Sequence, residues 1–170
     1  MLANVLPANE GAGDRVTAAA AALSGEVVMS SHPRAPIVVT HEGGVKFAAQ
    51  VRSHRILVDQ SARGGGEDAG PEPIELLGAA LGTCVALYVE RFCHAREIPH
   101  DGMRVEVEQH GVANPNRVGR FVVRVVLPAG IPERYAGMLE RTARSCPAHN
   151  TLVRGAEVEV QIEATATAGV

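Results

Sequence analysis

The stretch IELLGAALGTCVALYVERFCHARE, residues 74–97, decides the fold of this chain. Counted from Glu72 it is apolar on nearly every side over about 25 residues, a pattern typical of a buried helix rather than an amphipathic surface helix. At about 1.5 Å per residue, such a helix crosses a small domain from one side to the other. Glu75 interrupts it and Glu90 and Arg91 follow, so it falls short of the roughly 20 apolar residues of a membrane span. We therefore expect a core helix and no membrane partner.

Runs of residues typical of strands lie on both sides of this helix. They cover residues 37–40, 46–52, 55–59, 103–110, 120–127 and 157–164. The last run is the cleanest, with Val158, Val160 and Ile162 on one face and polar residues on the other. Gly43 and Gly44 indicate a hairpin between the first two runs. Strands that bracket a central helix favour an α+β fold.

Three further segments complete the predicted organisation. Residues 61–73 are rich in glycine and proline and predict a mobile loop, while residues 132–144 predict a second helix. Residues 1–35 offer little that can be buried, so we expect a peripheral tail with one short helix over residues 14–23. Residues 36–170 are then expected to form a single domain, as the length of 170 residues allows.

Composition excludes several classes of function. Sixteen Lys and Arg residues stand against 19 Asp and Glu residues, and aromatic residues make up 3% with no Trp. The chain therefore lacks both the positive field and the stacking platform that nucleic acid requires. Three cysteines are an odd count and no secretory signal is recognisable, so we expect a reducing, cytoplasmic location.

Cys84 lies in the middle of the apolar helix, where a lone cysteine usually behaves as a small hydrophobic residue. Gly82 argues against that simple reading, because glycine in a helix interior costs about 1 kcal/mol and suggests close approach by another element or a ligand. At about 100° per residue, one helix face carries Cys84 together with Leu77, Ala80, Leu81, Leu87, Tyr88 and Arg91. Glu75 and Cys93 fall on the opposite side, so we expect Cys93 in the core.

Cys146 precedes a proline in RSCPAHNTL and marks a helix end or a turn. His149, three residues on, lies near the sulfur or serves as a local hydrogen-bonding residue. Cys146 and His149 form only one pair of metal-ligand type, so we expect no metal and treat metal binding as a weak alternative. In a reducing compartment, two cysteines that meet in space are more often redox partners than a structural disulfide. Cys84 and Cys146 are the candidate partners.

Three segments resemble the OsmC/Ohr family, the osmotically inducible and organic hydroperoxide resistance proteins. They are SHRILVDQ at residues 53–60, GPEPIELLGAALGTC at residues 70–84 and SCPAHNTL at residues 145–152. The resemblance spans about residues 36–165 and is closer to a less characterised, OsmC-like branch. It implies antiparallel sheets packed around a long central helix, in an intertwined homodimer.

The resemblance also implies a stress-response activity, the thiol-dependent reduction of organic hydroperoxides without a cofactor. Cys84 takes the place of the peroxidatic cysteine and Cys146 that of the resolving cysteine. The Cys84 thiolate attacks the O–O bond, Cys146 closes a disulfide, and an external dithiol resets the enzyme. The alternative is a noncatalytic protein of the same fold that senses redox state or binds an apolar ligand; a further alternative places all three cysteines in the core.

The peroxidase reading requires a cation near the Cys84 thiolate. Arg52, Arg55 and Arg91 are the candidates, and Arg91 alone shares the Cys84 face. The organic hydroperoxide resistance branch holds its arginine with a glutamate one position before Glu75. Glu75 is therefore expected either to order the first turn of the helix or to reach across the dimer interface. The glycine-rich loop is expected to cover an apolar pocket walled by Leu77, Leu81 and Tyr88.

Overall fold

The first sheet is an antiparallel meander of three strands, and it lies in the part of the chain, residues 34–164, that the computed structural model describes. β1 spans Val38–Gly43, β2 spans Lys46–Val51 and β3 spans His54–Val58. Gly43 and Gly44 take positive φ angles of 102° and 56° at the turn between β1 and β2, as the glycine pair predicts. Val38 pairs with Gln50 and Phe47 pairs with Val58. The three strands predicted before the central helix are confirmed.

The glycine-rich segment after β3 is held in place by a carboxylate. Asp59 is fully buried, and its Oδ2 accepts hydrogen bonds from the backbone N–H groups of Glu67 at 3.0 Å and Ala69 at 3.1 Å. Gly66 and Gly70 lie so close to the backbone at Gln60 and Leu57 that a Cβ atom would be 2.0 Å and 2.5 Å from the respective carbonyl oxygens. The segment predicted to be mobile is therefore held against the end of β3, because the buried Asp59 carboxylate accepts hydrogen bonds from its backbone N–H groups.

The predicted central helix is α1, Pro73–His94. By length and composition alone this helix is apolar enough to cross a membrane. Its packing is that of a core helix, since Leu81, Val85, Val89 and Cys93 are buried on one side of it. Burial of each such side chain contributes about 1.5–3 kcal/mol to folding.

A second sheet and two helices surround α1. β4, Arg104–Val112, pairs antiparallel with β5, Arg117–Val126, and α2 spans Glu133–Arg144. α1 packs against all three of these elements. Gly82 permits the close approach of β4, because a Cβ atom there would lie 2.8 Å from Val107 Cγ2. The expected α+β fold, with antiparallel sheets and a long central helix, is confirmed.

A last helix follows where the sequence indicated only a helix end or a turn. α3 spans Pro147–Arg154, and it also packs on α1. Pro147 in the first turn provides a compatible helix start. The short helix was missed because its favourable packing surface is supplied by α1 rather than by its own sequence.

The strand predicted over residues 157–164 is wrong for this chain. The segment forms no strand, and Val158, Val160 and Ile162 are 81%, 78% and 92% exposed. A strand needs a neighbouring backbone to pair with, and alternation alone does not supply one. The helix predicted over residues 14–23 lies outside the described residues.

Candidate active site

α1 places Cys84 at mid-helix, with a partly exposed side chain at the edge of the core. The start of α1 is fixed by a reciprocal arrangement of two carboxylates. The backbone N–H of Glu72 donates to Glu75 Oε2 at 2.8 Å, and the Glu72 carboxylate accepts from the backbone N–H of Ser61 at 3.1 Å. These contacts fix the first turn of the helix, and therefore the register in which Cys84 meets the elements packed against it.

Cys146 occupies the N-cap position of α3. The proline after it keeps its backbone extended, at φ −65° and ψ 145°, so the side chain turns back over the first helical turn. There Cys146 Sγ accepts a hydrogen bond from the backbone N–H of His149 at 3.4 Å. Cys146 is 0% exposed and belongs to the same buried cluster as Val85 and Val89.

The fold brings Cys84 close to Cys146, because Cys84 packs against the buried cluster that contains Cys146. Burial raises the pKa of the Cys146 thiol, the backbone N–H of His149 opposes this, and the neighbouring Cys84 side chain raises the pKa further. The protonated form of Cys146 is therefore favoured.

Cys93 lies in the same core but is not one of the two candidate redox partners. It is 0% exposed, as predicted for a core position. Burial raises the pKa of the Cys93 thiol, and the nearby charge of Glu90 raises it further. A thiol held protonated in the core is a poor nucleophile, so Cys93 serves as a matched control cysteine.

The three arginines predicted as candidates for the cation near Cys84 lie in two regions of the fold. Arg52 lies in the turn between β2 and β3 with a φ angle of 55°, and Arg55 Nη2 forms an ion pair with Glu42 Oε2 at 3.1 Å. Arg91 is half-buried on the face of α1 that carries Cys84. Arg91 follows Cys84 by seven residues, about two helical turns, on that face.

The structure does not gather the predicted pocket walls around one cavity. Leu81 and Tyr88 are buried in the core, whereas Leu77 is 39% exposed. A groove of about 520 Å³ lies instead on the other side of α1, against β4. Its lining is Glu75, Gly78, Ala79, Gly82, Thr83, Ala86, Val105, Val107 and Gln109. Small residues on α1 leave this groove open, which helical spacing around Cys84 did not indicate.

Two further polar groups have unusual surroundings, one that the sequence did not single out and one that the sequence had placed near Cys146. The first is Asp59: burial acts to raise its pKa, but the backbone N–H groups of Ala69, Glu67 and Gln60 hold it below the usual range. The sequence feature that could have identified Asp59 is its position at the end of a predicted strand. The second is His149 Nδ1, which is buried and has no hydrogen-bond partner among residues 34–164. Its sequence signal was only its spacing from Cys146.

Metal ligation has little support in the described part of the chain. Between residues 34 and 164, no group of three or more His, Cys, Asp or Glu side chains is arranged to hold a metal ion. What the arrangement offers is sulfur chemistry: a partly exposed thiol beside a buried one, in a largely apolar setting.

Solved structures with a similar fold come from several bacteria. A protein of Psychrobacter arcticus 273-4, described as an osmotic stress induced and detoxification response protein, aligns with a TM-score of 0.65 at 20% identity, over 72% of this chain and 91% of its own. An OsmC-like protein of Mycoplasma pneumoniae aligns with a TM-score of 0.55 at 19% identity, over 71% of this chain and 88% of its own. An organic hydroperoxide resistance protein OsmC of Legionella pneumophila aligns with a TM-score of 0.51 at 17% identity, over 71% of this chain and 91% of its own. At these identities the likeness is one of fold.

Sequence comparison identifies the family directly. No curated protein sequence matches the chain. The family model described as OsmC-like protein matches residues 64–161, more than half of the chain, and this range includes both Cys84 and Cys146. The protein therefore belongs to the OsmC-like family.

Proposed function

We propose that the protein is a thiol-dependent peroxidase that reduces organic hydroperoxides, with Cys84 as the peroxidatic and Cys146 as the resolving cysteine. The observation that carries this proposal is the proximity of two thiols of unequal burial. The partly exposed Cys84 is open to a peroxide. The buried Cys146 is the neighbouring thiol that can close a disulfide with it.

The reaction follows from the positions of the two sulfurs. The Cys84 thiolate attacks one peroxide oxygen, the O–O bond breaks, and the alkoxide leaves as an alcohol after taking a proton. Cys84 is then a sulfenic acid. The sulfur of Cys146 attacks it, the S–O bond breaks, and the hydroxyl leaves as water with the proton of Cys146. An external dithiol reduces the resulting disulfide, and no cofactor takes part.

The surroundings of Cys84 favour an organic peroxide over hydrogen peroxide. Leu77 and Leu87 lie on the Cys84 face of α1 and are 39% and 41% exposed, so they present apolar surface beside the sulfur. An alkyl or aryl group that covers this surface gains about 25 cal/mol per Å² of apolar area removed from water. Hydrogen peroxide has no such group.

Glu75 and Arg91 are proposed to support Cys84 without reacting. Glu75 is a positioning residue, because its carboxylate accepts the Glu72 N–H and fixes the first turn of α1. Arg91 supplies positive charge from the same face of the helix. We place this activity in a reducing cytoplasm, where a disulfide is a transient catalytic state rather than a permanent link.

A homodimer completes the proposal. Ile37, Val38 and Val39 are 62%, 53% and 60% exposed on and just before β1, and the alternating segment 157–164 has no strand partner among residues 34–164. Exposed apolar strand residues require apolar surface to cover them, and an unpaired strand-like segment requires another strand to pair with. A second copy of the chain provides both, and we expect a dimer in size-exclusion chromatography with light scattering. Deletion of residues 157–164 is expected to weaken it.

The activity is tested by following consumption of cumene hydroperoxide with dithiothreitol as reductant. We expect wild type and Cys93→Ser to be active and Cys84→Ser to be inactive. Without reductant, Cys146→Ser is expected to consume one equivalent of hydroperoxide and to hold a Cys84 sulfenic acid. Mass spectrometry after one equivalent of the hydroperoxide is expected to find Cys84 linked to Cys146. Loss of activity in Cys93→Ser, or none in Cys84→Ser, contradicts the proposal. A disulfide without peroxide consumption supports the noncatalytic redox-sensing alternative.

A further inference from the structure

The two sulfurs of the pair differ in access from solvent. Cys84 is partly exposed, whereas Cys146 is 0% exposed and packed within the buried cluster that includes Val85 and Val89. Nucleophilic attack on a disulfide requires approach to one sulfur along the line of the S–S bond, so access decides which sulfur is attacked. In a bond between these residues, the reachable sulfur is that of Cys84.

The two sulfurs also differ in the backbone groups around them: burial raises the pKa of the Cys146 thiol, and backbone N–H groups at the start of α3 oppose that rise. Cys146 Sγ lies at the start of α3 and accepts the backbone N–H of His149 at 3.4 Å, with a second backbone contact from Ala148. These donors belong to the first turn of a helix, where the backbone favours an anion. Cys84 is in the middle of α1, where backbone N–H groups are already bonded within the helix.

We propose that the external dithiol attacks the Cys84 sulfur of the oxidised protein, and that Cys146 leaves as a thiolate held by the backbone N–H groups at the start of α3. This inference rests on the proposed function, because it describes how the disulfide of that reaction is reduced. It makes the first turn of α3 a determinant of the reduction step and Cys84 the attachment point of the reductant.

The bonds and electrons of the step balance. One thiolate of the dithiol forms a new S–S bond with Cys84, the Cys84–Cys146 bond breaks, and its electron pair remains on Cys146. The second thiolate of the reductant then attacks its own first sulfur, the mixed disulfide breaks, and Cys84 is released as a thiolate. The reductant ends as a cyclic or linear disulfide, and the protein has gained two electrons.

Trapping with a monothiol tests the direction of attack independently of peroxidase activity. The Cys93→Ser protein is oxidised with diamide, treated briefly with excess 2-mercaptoethanol, quenched with acid, alkylated with N-ethylmaleimide and mapped by mass spectrometry. A monothiol completes the second exchange only through a second molecule, so a brief treatment lets the intermediate accumulate. We expect 2-mercaptoethanol on Cys84 and N-ethylmaleimide on Cys146, with at least about a tenfold excess over the reverse pattern.

The outcomes separate this inference from the proposed function. An adduct on Cys146, or equal amounts on both cysteines, overturns the direction of attack and leaves the peroxidase intact. An adduct on Cys84 in a protein that consumes no hydroperoxide supports the direction of attack and overturns the peroxidase. Failure of diamide to link Cys84 to Cys146 overturns both, because the two sulfurs then do not meet.

A pair of variants at one position tests the role of the first turn of α3. His149→Glu and His149→Gln differ by one negative charge at nearly the same size, and both keep the backbone N–H that contacts Cys146. A carboxylate in that turn opposes charge on the leaving sulfur, so we expect dithiothreitol to reduce oxidised His149→Glu roughly threefold to tenfold more slowly than His149→Gln. Equal rates overturn the leaving-group assignment.

Discussion

Cys84 packs against the buried cluster that contains Cys146, although the two residues are 62 positions apart in the sequence. One residue comes from the middle of α1 and the other from the cap of α3. The pair is asymmetric, since Cys146 is fully buried while Cys84 is partly exposed. This asymmetry separates the two roles in the proposed peroxidase and sets the direction of its reduction.

The three thiols are expected to differ in their rates of alkylation. Cys84 is partly exposed, while Cys93 and Cys146 are fully buried and burial raises the pKa of both. Because the thiolate is the reactive form, iodoacetamide at pH 7 is expected to modify Cys84 at least about tenfold faster than either of the others. Peptide mapping over a time course measures all three rates in one sample. Faster labelling of Cys146 would contradict the assignment of Cys84 as nucleophile.

Arg91 is expected to promote the reactivity of Cys84. It lies on the same face of α1, whereas Arg55 is engaged by Glu42 on the first sheet and Arg52 lies in the neighbouring turn. A cation near a thiol favours its thiolate, so Arg91→Gln is expected to slow iodoacetamide modification of Cys84 by roughly threefold to tenfold. Arg52→Gln and Arg55→Gln are the matched controls and are expected to leave the rate unchanged. A slower rate in either control instead would assign the cation to the first sheet.

Two glycine-to-alanine substitutions are expected to change stability in opposite directions. A Cβ atom at Gly82 would lie 2.8 Å from Val107 Cγ2, whereas a Cβ atom at Gly137 in α2 would meet only Arg141 Nη1, at 3.6 Å. Overpacking costs about 1–3 kcal/mol and exceeds the gain in helix propensity of about 1 kcal/mol, so Gly82→Ala is expected to destabilise. Gly137→Ala is expected to stabilise by about 0.5–1 kcal/mol. Urea unfolding measures both, and a gain in Gly82→Ala would show that α1 and β4 are not in close contact.

Asp59 is expected to stabilise the segment that precedes α1 in a pH-dependent way. Burial acts to raise its pKa, but backbone hydrogen bonds hold the folded-state pKa below the usual value. A lowered folded-state pKa contributes stability above the unfolded pKa of about 4, and this stability is lost as the pH falls through the folded value. Asp59→Asn is therefore expected to be less stable than wild type at pH 7, with the difference shrinking below about pH 4.

The exposed Asp101 provides the control for that comparison. Asp101→Asn, followed by urea unfolding at pH 7 and pH 3, is expected to stay within about 0.5 kcal/mol of wild type at neutral pH. An Asp59→Asn difference that is the same at both pH values would show that the charge of the carboxylate is not what holds the segment.

Local patterns in the sequence determined the secondary structure and the family. The apolar stretch from residue 74 predicted α1, alternation predicted β4 and β5, and the glycine pair at 43 and 44 predicted the first hairpin. These features depend on residues that are neighbours along the chain, whose periodicity reports directly which faces can be buried. The motifs around Cys84 and Cys146 likewise identified the OsmC-like family before any contact was known.

Only the tertiary structure decided which of these residues meet. The contact between Cys84 and Cys146 depends on how α3 packs against α1, and the groove beside Gly82 depends on how β4 approaches the same helix. The alternation at residues 157–164 was clear in the sequence, yet the segment has no strand partner within the described part of the chain. Periodicity states which side of a segment needs cover, but the covering element lies far away in the sequence, and its identity is settled by long-range packing and backbone pairing.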